Sequence, residues 1–124
     1  MDLAIDPGAD VPPFEQLRTR LVADITSGEL AAGTRLPTVR TLAADLGIAT
    51  NTVARAYREL EADGFIETRG RHGSFVSAQG DAAERQAQEA ATAYVERVRH
   101  LGVDPATALR FVERALAAMR SPDA

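Results

Sequence analysis

The chain has 124 residues, no cysteine, two histidines, 45% hydrophobic residues and a formal net charge of −4. That is enough for one domain, or a small domain with an appendage, around a single core. It excludes disulfide scaffolds and thiolate metal sites, and no run approaches the ~18 apolar residues of a membrane span.

The start, Met1-Asp2-Leu3-Ala4-Ile5-Asp6, lacks the basic residues and apolar block of a secretory signal, so a cytoplasmic protein is expected. Leu3 and Ile5 alternate with polar neighbours and predict a short strand over Asp2 to Asp6. Pro7-Gly8 ends it. Pro12-Pro13 opens a helix whose face is Phe14, Leu17, Leu21 and Ile25, stopping near Gly28. After a loop marked by Gly33 and Pro37, Thr38 is placed to cap a second helix. That helix turns Leu42, Ala43 and Leu46 inward and ends at Gly47.

Three residues later a third helix begins, with Val53, Ala56, Tyr57 and Leu60 as its buried stripe and Gly64 as its stop. Asn51, Thr52, Arg55, Arg58 and Glu59 are left largely outside. Phe65 to Arg69 and Ser74 to Ser77 flank Gly70-Arg71-His72-Gly73, and glycines on both sides of that turn predict a β-hairpin. Helix, turn, helix and hairpin in this order make a winged helix-turn-helix over residues 1–77.

Residues 78–124 read differently. Ala87, Ala91, Tyr94, Val98 and Leu101 repeat at 4, 3, 4 and 3, the stripe of one long helix ended by Gly102. Asp104-Pro105 starts another, with Leu109, Val112, Leu116 and Met119 on one face. Two such helices cannot enclose a core in about 45 residues. Their stripes either pack within the chain, on the winged helix or on each other, or meet a second copy. The second reading assigns Tyr94, Val98, Leu101, Leu109, Val112, Leu116 and Met119 to a homodimer interface.

Charge is uneven. Residues 1–34 carry two arginines against six acids, residues 35–76 six against five, and residues 77–124 six against seven. The middle segment is the least acidic, and a few placed arginines suffice for phosphate contact. All fourteen basic residues are arginine. A coding bias accounts for this first, although arginine forks also suit phosphate and guanine.

The DNA reading rests on helix N-termini, whose unpaired N–H groups and partial positive charge suit phosphate. Thr38 and Arg40 would anchor the backbone of the duplex. Thr50, Asn51 and Thr52 would lead the third helix into a groove with Arg55 one turn behind. Asn pairs with adenine, Arg with guanine, and Thr methyls meet thymine methyls. Arg71 and His72 at the hairpin tip would reach a neighbouring groove or phosphate, with Gly73 allowing close approach. Arg58, followed by Glu59, Glu61 and Asp63, reads as solvated or salt-bridged. Arg69 stands open between pairing within the hairpin and touching phosphate. His100 reads as a surface residue near a helix C-terminus.

The stretch Gly33-Thr34-Arg35-Leu36-Pro37-Thr38-Val39-Arg40, with Leu42-Ala43, Leu46-Gly47-Ile48, Asn51-Thr52-Val53, Arg55-Ala56-Tyr57, Leu60, Gly64-Phe65-Ile66 and Arg69 to Val76, resembles the GntR-type bacterial transcription regulators. The resemblance covers a third of the chain, or three-fifths with the preceding helix. It implies a mainly α winged helix-turn-helix and a double-stranded DNA operator as partner. Its usual contacts fall on Arg35, Arg40, Thr50, Asn51, Thr52, Arg55, Arg71, His72 and Gly73. Ala49 stands where a capping Ser or Asn is common, so Thr50 is expected to take over the cap. Ala54 stands where an arginine often sits. The short helical C-terminus is similar to the YtrA-type branch, which implies dimerisation and no separate ligand domain. A repressor reading an inverted repeat is the expectation, with any small-molecule effector unknown.

Enzyme readings find no support: the two histidines lie in no metal motif and no serine in a nucleophile elbow. No cofactor is called for. The rival from another class is a winged-helix module that binds protein. It would favour an apolar or acidic third-helix surface, against Thr50-Asn51-Thr52, Arg55 and Arg71.

Overall fold

A computed structural model describes residues 3–120. Its elements are α1 (Pro13–Ser27), α2 (Val39–Leu46), α3 (Thr50–Ala62), β1 (Ile66–Thr68), β2 (Ser74–Val76), α4 (Ala82–His100) and α5 (Pro105–Met119). A single 3-10 turn, Gly70–His72, joins the two strands.

The core is built where α1, α3 and the hairpin meet. Leu17, Leu21 and Ile25 of α1, Leu42 and Ala43 of α2, and Val53, Ala56, Tyr57 and Leu60 of α3 are buried with Leu36, Ile66 and Val76. The periodicity read from the sequence places every one of the helix residues. The strands pair antiparallel, with Ile66 opposite Val76, Glu67 opposite Phe75 and Thr68 opposite Ser74. The loop before α2 runs along the free side of β2. There Leu36 N–H donates to Ser74 O at 2.9 Å and Val76 N–H to Thr34 O at 2.9 Å.

The predicted N-terminal strand is not formed. Asp2 lies outside the described residues, and Leu3 to Asp6 carry no strand pairing. The alternation is nevertheless used, because Leu3 and Ile5 pack against the core. The side-chain amide of Gln16 replaces a partner strand. Its Oε1 accepts from Asp6 N–H at 2.9 Å, and its Nε2 donates to Asp6 O at 2.9 Å and Val11 O at 2.8 Å. A ladder needs a free strand edge alongside, and here the arm runs beside a helix.

Beyond the hairpin, Asp81 caps α4 by accepting from Glu84 N–H at 2.9 Å. Asp104 caps α5 by accepting from Thr107 N–H at 3.2 Å and from its hydroxyl at 2.6 Å. That hydroxyl holds the Asp104 carboxyl below the usual carboxylate range. Tyr94 OH donates to Ala108 O at 2.8 Å and joins the two helices. An apolar groove of about 600 Å³ runs between them, walled by Tyr94, Val95, Val98, Leu109 and Val112.

Candidate nucleic-acid interface

Thr38 caps α2 through its Oγ1, which accepts from Thr41 N–H at 3.1 Å. This leaves Arg40 exposed on the first turn with no ion pair among the described residues. Tyr57 secures the loop ahead of α2 from below, donating its OH to Pro37 O at 2.7 Å. Burial pushes the Tyr57 phenol far above its ordinary value. One core residue of α3 therefore holds the start of α2 in place.

At α3 the structure corrects an expectation. Thr50 does not take over the cap; Ala49 occupies the N-cap position in extended conformation, and no side chain caps the helix. An alanine there keeps the required backbone geometry and supplies no oxygen. The first turn of α3 is thereby open to an outside acceptor. Thr50 and Asn51 are exposed beside it, and Thr52 is half-buried.

Arg55 is engaged more than its spacing suggested. Its guanidinium lies 3.6 Å over the Phe14 ring of α1, and its Nε donates to Glu59 Oε2 at 3.2 Å. Glu59 in turn faces Arg18 Nε at 3.6 Å. Periodicity along one helix puts Arg55 outside the stripe but cannot show that α1 brings an aromatic ring beneath it. Arg58 is exposed and makes no ion pair among the described residues. It shares the outer face of α3 with Asn51, seven positions earlier. Arg58 thus takes the solvated of the two readings its sequence context allowed.

In the wing, Arg69 resolves to the hairpin side of its two readings. Its Nε donates to Glu67 Oε1 at 2.9 Å, and its guanidinium lies 4.3 Å from the Phe75 ring centre. Arg71 and His72 stand exposed on the turn. Gly73 has φ +101°, and a Cβ there would sit 3.3 Å from Arg35 Nε. The glycine thus makes room for Arg35, which brings the arginine of the α2 loop against the wing. Arg35 and Gly73, 38 residues apart in sequence, form one surface.

Comparison with known proteins agrees with this geometry. The profile of the bacterial regulatory proteins of the gntR family matches residues 5–76. The chain belongs to the GntR family. It is 48% identical over 110 residues to the HTH-type transcriptional regulator Rv1152 of Mycobacterium tuberculosis, covering 89% of this chain and 90% of that protein. It is 37% identical over 75 residues to the HTH-type transcriptional repressor YtrA of Bacillus subtilis, covering 60% of this chain and 58% of that one. Among solved structures, YtrA from Sulfolobus acidocaldarius, a GntR-family transcription factor, shares the fold with a TM-score of 0.58 at 24% identity, over 96% of this chain and all of that one. This is therefore a GntR-family transcriptional regulator with a winged helix-turn-helix DNA-binding domain. Among the described residues no helix is long and apolar enough to cross a membrane.

Proposed function

We propose that this GntR-family regulator is a homodimeric repressor that reads an inverted-repeat operator. The observation that carries the reading is the uncapped N-terminus of α3, with Thr50 and Asn51 exposed beside it. In this reading residues 1–77 bind DNA and residues 78–124 pair two copies.

Thr50, Asn51 and Thr52 meet base edges in the major groove, while Thr38 and Arg40 hold the backbone through the α2 N-terminus. Arg71 and His72 reach out from the wing, and Arg35 lies behind them against Gly73. Arg55 joins the contacts by leaving Phe14 and Glu59, and Arg58 extends the outer face toward phosphate. The repressor assignment is supported by the likeness to the Bacillus subtilis repressor.

The dimer reading is supported by the faces of α4 and α5. Tyr94, Val98 and Val112 are half-buried, whereas Leu101, Leu109, Leu116 and Met119 remain exposed, Met119 by 80%. Val95, beside the same groove, and Phe111, elsewhere on α5, are exposed as well. This many exposed apolar side chains on two helices would be covered by a second copy in solution. The groove between α4 and α5 is open along one side, so a small-molecule effector would be enclosed only between two copies.

Selection of bound duplexes from a random pool tests the reading. The expected result is a palindrome, protected symmetrically in footprints and silencing a reporter placed downstream. Selected sites without two-fold symmetry would overturn the inverted-repeat reading.

A further inference from the structure

Among the described residues, Gln88 and Thr92 of α4 hydrogen-bond back toward the winged helix. Gln88 Oε1 accepts from Gln79 N–H at 3.2 Å, and Gln88 Nε2 donates to Gln79 O at 2.6 Å. Gln79 is itself tied to the wing, its amide donating to Ser77 O at 3.0 Å and to Gly64 O at 3.3 Å. One helical turn further along α4, Thr92 Oγ1 donates to Ala32 O at 2.7 Å. The methyl of Thr92 presses against Gly33, where a Cβ would come within 2.6 Å of it. Gly33 is anchored in turn, donating to Val76 O at 2.8 Å. Open clefts of about 400 and 570 Å³ both run up to this Gly33–Thr92 contact. One is walled by Glu67, Arg69 and Val76, the other by Arg35 and Phe75.

We propose that Gln88 and Thr92 are spacing-determining residues: their two-point clasp on Gln79 and on Ala32-Gly33 fixes the direction of α4 from the DNA-binding head. It thereby selects the separation of the operator half-sites. This rests on the homodimer reading. A single contact would act as a pivot. Two contacts four residues apart, about 6 Å along the axis, define a direction.

The leverage is large. From the clasp to the end of α4 is about 15 Å, so a tilt of about 10° moves that end by about 2.6 Å in each copy. A two-fold axis doubles this to about 5 Å, more than the ~3.4 Å rise per base pair. Each base pair added between half-sites also turns one of them by roughly 35° around the duplex. The clasp thus holds the heads in register with one spacing, and the clefts beside it are the space into which α4 would swing.

The test uses the full chain and palindromes whose half-site spacing varies in single base pairs over one turn. The parent protein is expected to bind its best spacing at least about tenfold more tightly than spacings two base pairs away. Q88A/T92A should flatten that profile to within about threefold, with single-half-site affinity, thermal melt and dimeric sedimentation unchanged. Thr92→Ser, which keeps the hydroxyl, should keep the parent's profile. A dimeric Q88A/T92A protein with the parent's spacing preference would overturn this proposal alone. A parent that sediments as a monomer would overturn the dimer reading and this proposal with it.

Discussion

Arg40 and Arg55 show how two arginines with similar sequence context come to differ. Arg40 is exposed on the first turn of α2 with no ion pair among the described residues, whereas Arg55 spans an aromatic ring and a carboxylate. Arg40→Ala should lower affinity for all duplexes alike and reduce the salt slope by about 1, with the thermal melt unmoved. Arg55→Ala should lower stability as well, by about 0.5–1 kcal/mol for an exposed cation–π contact. Calorimetric melts beside salt-titrated binding separate the two; equal melts for both variants would show that the Phe14 contact contributes nothing. Asn51→Ala should cost about 1–3 kcal/mol at one operator position and relax base preference there. Competition with operators altered at that position reads the loss.

At the scale of elements, α2 and α3 are locked by Tyr57. Tyr57→Phe removes the bond to Pro37 O and leaves that carbonyl short of a partner, at a cost of about 0.5–1.5 kcal/mol. The same residue makes the fold sensitive to alkali. Its folded-state value is raised, so the stability it contributes is fully present below the unfolded tyrosine value of about 10 and is lost as pH rises above that. Melting temperatures from pH 7 to 11 should fall above about pH 10. The decline should be shallower in Tyr57→Phe, and parallel declines would assign it to other groups. Most of these elements are legible in the sequence because their signals are local. Proline at N1 of α1, threonine and aspartate caps and the glycine stops all sit within a turn of what they determine. The arm at Leu3 to Asp6 is not, since its pairing choice depends on which element lies beside it.

For the whole molecule, the question is what covers α4 and α5. Leu116→Glu or Leu101→Glu places a charge on the exposed apolar face, which a lone subunit tolerates and a dimer interface does not. Sedimentation at micromolar concentration should show a dimer for the parent protein and a shift toward monomer for either variant. Tight binding to the full palindrome should be lost while half-site binding persists, because the two half-sites no longer add. Unchanged sedimentation for both variants would place the interface elsewhere.

Element order, the core stripes of α1 to α3, the wing and the polar face of α3 all follow from residue type and spacing, since helix and strand periods are properties of the local chain. Arg35 against Gly73, Arg55 over Phe14 and Thr92 on Ala32-Gly33 do not follow in that way. Each joins residues from separate elements, and the joining depends on the angle and offset at which those elements pack. One-dimensional patterns carry faces; packing alone chooses which faces meet, because sequence spacing holds no record of distance between elements.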